Sequence, residues 1–175
     1  MPILLVLVAS GAGMWYYWRV LRDPPPVSFA RLQESATAVR LGISNQIPAG
    51  LRQRARGLAQ VVAWAEQAGW RVTSMYRAPE VTRAIYEERA GQSLAVGPTS
   101  VHAQARAFDT PPGARGERKT VSELSARKAA VMRHPKIGPL VTRAIAEGAE
   151  AEWGHVHVEL DSAKLEALGT KANAA

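Results

Sequence analysis

The sequence predicts an α+β domain with a small sheet, on three observations. Helical and strand-like periodicities share the chain without strict alternation, which argues against a regular βαβ order. The 175 residues are 47% hydrophobic and 21% charged, enough for one domain with a buried core and an appendage. Gly and Pro punctuate the periodic segments at intervals that suit short elements, and no internal repeat interrupts them.

The elements follow in order. Residues 3–18 carry no charge, and Arg19 ends the run. With Val20 and Leu21 the segment reaches the ~20 residues that span a bilayer. Trp15, Tyr16, Tyr17 and Trp18 resemble an interfacial aromatic cluster. Residues 1–23 are therefore expected to be a single-pass membrane anchor, with a signal-like segment as the alternative. Arg19 and Arg22 follow the run and nothing basic precedes it, which argues for a cytoplasmic domain. The domain is nonetheless expected to be periplasmic or extracytoplasmic, with the orientation left open. Pro24, Pro25 and Pro26 mark a stiff linker over residues 24–28.

The globular domain is expected over residues 29–168. Phe29, Leu32, Ala36 and Val39 keep helical spacing as far as Arg40, with Gly42 as C-cap. Leu51, Ala55, Leu58, Val62 and Ala65 predict a second helix closed by Gly69. Residues 70–76 are rich in β-formers and predict a strand. Pro79 opens a helix to about Arg89, with Gly91 as its stop and a loop as far as Ser100. Residues 101–109 are short and mixed. Thr120 and Glu123 form a capping box for a helix over 121–133. Residues 139–147 are expected to be a short helix, 151–160 a strand, and 162–168 a last helix capped by Asp161. The tail 169–175 is expected to fray.

There is no cysteine, so disulfides, thiolate metal sites and a Cys nucleophile are excluded. A transition metal would need His, Asp and Glu ligands. The net charge of +7 favours an anionic partner: nucleic acid, acidic headgroups or cell-wall polymer. Two of the four histidines, His155 and His157, stand two apart in the strand over 151–160, so they share a face. Upstream, His102 and Asp109 stand seven apart among small residues. Together they offer a His, Asp, His set with a spare His and a Glu, and three protein ligands with one open position is the catalytic zinc arrangement. The His-Glu-x-x-His helix of many metalloproteases is absent.

The pattern Ser100-x-His102-x6-Asp109, followed by Glu152-x-x-His155-x-His157, resembles the zinc D-Ala-D-Ala carboxypeptidases and L-Ala-D-Glu endopeptidases of the hedgehog/DD-peptidase superfamily. Thr73-Ser74-Met75-Tyr76-Arg77-Ala78-Pro79 extends the resemblance, which covers about residues 70–160. It implies a small antiparallel sheet with flanking helices around Zn2+, and cleavage of peptidoglycan stem peptides. It implies His102 and Asp109 as zinc ligands. For the third, the His-x-His pattern gives His157 as ligand and His155 as catalytic. The Glu-x-x-His pattern gives His155 as ligand and Glu152 as base. The first is favoured because 155–159 looks like a regular strand. Glu152 is then a second catalytic group, with Glu150 as competitor. Arg77 is implied to bind the substrate carboxylate, and Ser100 to bond substrate or orient His102. Ala105, Ala78, Met75 and Thr82 depart from the family's usual residues, and Ala105 would be strained if its φ is positive. His134 has no place in the pattern and reads as a helix-terminal histidine.

Two other classes fit the sequence. One is a non-catalytic zinc-containing binding module of the same fold. The other is a basic, membrane-tethered nucleic-acid-binding protein, weakened because aromatic residues are few and not interleaved with the arginines.

Overall fold

The structure, a computed structural model, describes residues 23–88 and 100–172. Six helices surround one three-stranded antiparallel sheet among the described residues. In chain order they are α1 (Phe29–Leu32), α2 (Ala36–Leu41), α3 (Arg52–Gln67), α4 (Pro79–Glu88), β1 (Ala107–Thr110), α5 (Val121–Arg133), β2 (Val141–Glu147), β3 (His155–Leu160) and α6 (Ser162–Ala172). The strand order is β1-β3-β2.

The single helix expected over 29–40 is two. Ser35 breaks it, because its hydroxyl accepts the Ala38 amide and caps α2. Gly42 closes α2 in the left-handed region, as expected. The capping box of α5 is formed, and His134 ends that helix. Its Nδ1 accepts the Lys136 and Ile137 amides.

Residues 139–147 are corrected from helix to strand: after a short turn at Gly138–Leu140, β2 runs along β3. Val141, Thr142 and Ile145 are β-branched, and pairing with β3 decides the outcome over local propensity. The strand expected over 70–76 shrinks to a bridge between Ser74 and Asp109. Two backbone bonds hold it: Thr73 N–H to the Asp109 carbonyl, and Asp109 N–H to the Ser74 carbonyl. Strand β3 begins at His155 rather than 151, because residues 148–154 are folded into turns. The last helix continues to Ala172 instead of fraying at 169.

The expected single-pass anchor is also corrected: among the described residues no helix is long and apolar enough to cross a membrane. Residues 1–22, on which that expectation rested, lie outside the described residues, as does most of the loop expected after α4.

Alternation along β3 divides its side chains between two faces. Val156, Val158 and Leu160 are fully buried and join Phe108 of β1 in the core. That core continues through Leu58, Val61, Val62 and Ala65 of α3 and Leu124 and Val131 of α5. Helix α6 packs close against α3. An added Cβ on Gly57 would stand 2.0 Å from the Leu165 carbonyl oxygen, and one on Gly169 would stand 2.1 Å from that of Gln53. The other face of β3 carries His155, His157 and Glu159, backed by the packed sheet beneath.

Candidate metal centre

Register builds the site. Asp109 pairs across to His157, and on the far side of β3 Glu147 pairs with His155, Ile145 with His157 and Arg143 with Glu159. The Ser74–Asp109 bridge extends the same row by one position. The turn over 101–105 then brings His102, buried to 1% exposure, against this row from one side.

Three atoms converge. His157 Nδ1 lies 2.9 Å from Asp109 Oδ1, His102 Nε2 lies 3.2 Å from His157 Nδ1, and His102 Nε2 lies 3.3 Å from Asp109 Oδ1. Ligands at about 2.0–2.1 Å in tetrahedral array stand about 3.3 Å apart, so this triangle has the dimensions of a tetrahedral site. His102, Asp109 and His157 form a group able to hold a metal ion.

The surroundings prepare these donors. His102 Nδ1–H donates to the Met75 carbonyl at 2.6 Å, leaving the Nε2 lone pair turned inward. Burial, reinforced by the Arg77 guanidinium, lowers the His102 pKa to about 4 against the pull of Asp109, so this imidazole is neutral near pH 7. Burial works to raise the Asp109 pKa, but the neighbouring histidines outweigh it and hold the carboxyl well below the usual range. His157 turns its Nε2 toward Glu159 at 3.7 Å.

His155 stands beside this triangle. Its Nε2 lies 3.5 Å from Asp109 Oδ1 and 3.4 Å from Glu147 Oε2, while Nδ1–H donates to the Trp153 carbonyl at 3.0 Å. Burial works to lower its pKa, yet Asp109, Glu147 and the Trp153 carbonyl outweigh it and raise it to about 9. The bond to His155 in turn lowers the Glu147 pKa. Arg77 places a guanidinium nitrogen 3.4 Å from Asp109 Oδ2. Ser100 is 1% exposed and its hydroxyl has no hydrogen-bond partner. His102 is oriented by Met75 instead. Glu152 is exposed.

Apart from Met75, these residues line one open cavity of about 450 Å3, together with Arg71, Arg143 and Ile145. Glu147 and Glu159 are additions to the residues expected from sequence. Glu159 continues the two-residue period of His155 and His157, so its signal was present. Glu147 was hidden by the expected helix over 139–147; as a strand, Arg143, Ile145 and Glu147 share one face.

The fold and site thus define a mixed helical and antiparallel-sheet domain carrying a buried two-histidine, one-carboxylate group. No family model, no curated protein and no solved structure matches the chain.

Proposed function

We propose that this is a zinc-dependent peptidase of the hedgehog/DD-peptidase type, cleaving peptidoglycan stem peptides at amide bonds next to D-amino acids. One observation carries the reading: the 2.9, 3.2 and 3.3 Å triangle of His157 Nδ1, Asp109 Oδ1 and His102 Nε2. Two imidazole nitrogens and a carboxylate suit zinc without thiolates, and three ligands leave a position open. Bound there, zinc would supply Lewis acidity and a water acidified to near neutrality.

The chain's own residues supply the rest. Met75, through its carbonyl, fixes the tautomer that frees His102 Nε2. His155, held between the Trp153 carbonyl and Glu147, keeps a proton at Nε2 at the edge of the triangle, where charge develops on a reacting carbonyl. Glu147 orients that imidazole, and Glu152 is a second carboxylate on the same cavity wall that can carry a proton to the leaving amine. Arg77 and the Ser100 hydroxyl bind a substrate carboxylate.

The full chain should hold about one equivalent of zinc by elemental analysis and release shortened peptides from a peptidoglycan digest followed by mass spectrometry. His102→Ala should abolish both. Zinc-loaded wild-type protein that cleaves no wall peptide would overturn the peptidase reading, and retained zinc without turnover would point to a binding module.

A further inference from the structure

Among the described residues three arginines line the cavity: Arg71, Arg77 and Arg143. Two have acidic partners. Arg77 reaches Asp109 at 3.4 Å, and Arg143 reaches Glu159 at 3.7 Å. Arg71 differs from both. No ion pair or hydrogen bond engages its guanidinium among the described residues, although its Nε, like that of Arg77, is buried. Buried polar nitrogens are almost always satisfied, and an orphaned one costs more when it belongs to a cation.

Position sharpens the point. The Ser74–Asp109 bridge and the Thr73 N–H bond to the Asp109 carbonyl hold residues 73 and 74 at the outer edge of β1, with Arg71 two residues upstream, whereas Arg143 lies on β2 beyond β3. Arg71 and Arg143 therefore flank the metal-binding row from opposite edges. Arg77 is at Asp109 itself. A guanidinium whose Nε is packed against protein is a held fork rather than a solvated tail, and that geometry suits a carboxylate.

We infer that Arg71 forms a second anion subsite, binding a carboxylate that the substrate peptide carries away from the scissile bond. The inference rests on the peptidase reading and deepens it: the substrate is an acidic peptide with an internal free carboxylate. A carboxamide at that position presents an N–H to the fork and is discriminated against.

Two synthetic stem peptides with the same free C-terminus test it. One bears a D-glutamyl residue with a free α-carboxylate, and the other bears the corresponding carboxamide. Calorimetric binding to the zinc-loaded full chain is measured beside turnover. Wild type should bind the carboxylate form about tenfold or more tightly. Arg71→Ala and Arg71→Gln should lose that ratio, Arg71→Lys should keep part of it, and the effect should fall on KM rather than kcat. Equal binding of the two peptides by wild type, an unchanged ratio in Arg71→Ala, or no binding of either peptide would overturn the subsite. A carboxylate preference that depends on Arg71 in a protein that cleaves neither peptide would uphold the subsite and sink the peptidase reading instead.

Discussion

Ala105 adopts φ 53°, in the left-handed region, while fully buried between the two upstream ligands. Left-handed backbone costs an L-residue roughly 1–2 kcal/mol. Glycine would relieve this, but would lose a buried methyl worth about 0.8 kcal/mol and add about 0.5–1 kcal/mol of chain entropy. Ala105→Gly should therefore leave the urea midpoint nearly unchanged, whereas the β-branched Ala105→Val should lower it clearly. Ser100→Ala should keep or slightly raise stability, because the hydroxyl it removes is buried without a partner, and should raise KM if that hydroxyl meets substrate. The titrations of the metal-free protein oppose each other. His102 falls to about 4 in the fold against about 6.5 unfolded, so its contribution is present above about pH 6.5 and lost as pH drops toward 4. His155 rises to about 9, so its contribution is present below about pH 6.5 and lost as pH climbs toward 9. Urea midpoints of chelator-treated protein should peak near pH 6.5; a steady rise from pH 4 to 9 would contradict the His155 shift, and a steady fall would contradict the His102 shift. At this scale much of the site was legible in the sequence. Ligand chemistry restricts the choice to a few residue types and singles out His102, Asp109, His155 and His157, while taking His157 rather than His155 as the third ligand rested on the family resemblance. The Met75 carbonyl could not, since backbone groups carry no sequence signal.

Helix ends were more legible than strands. Ser, Thr and Gly at caps act locally, so the Thr120–Glu123 box could be read from four residues and is formed. Thr120→Ala should cost about 1 kcal/mol by denaturant titration. Strand β2 depends on a partner that follows it in sequence, and its residues alone fit a short helix. The same non-local logic reduced residues 70–76 to a bridge, because β1 offers only a short edge there. The packing of α3 on α6 was equally invisible, although Gly57 and Gly169 permit it. Gly57→Ala would drive a methyl into the Leu165 carbonyl and should cost about 2 kcal/mol or more, well above the effect of Thr120→Ala.

Across the whole molecule, the chain folds its chemistry onto one face of a three-stranded sheet and its core onto the other. The α+β reading is met, and the sheet is antiparallel. Metal bound to this face is linked to global stability, because the unfolded chain keeps residues 102, 109 and 157 apart. At a free metal concentration of about 100 Kd the fold gains about 2.7 kcal/mol. Chelator treatment should lower Tm of the wild type by several degrees and leave Tm of His102→Ala unchanged, and equal effects on both would place the metal elsewhere.

The Asp109–His157 register joins positions 48 apart in the chain. Closing such a loop precedes any convergence of the three donors, so the binding group is completed only when β1 has docked on β3. A metal ion that needs all three donors then has little to hold in the transition state of folding. Its stabilisation should appear almost wholly as slower unfolding, with the refolding rate unchanged. The ion would act as a latch on the finished fold rather than as a template for it, and stopped-flow traces with and without added metal would separate the two.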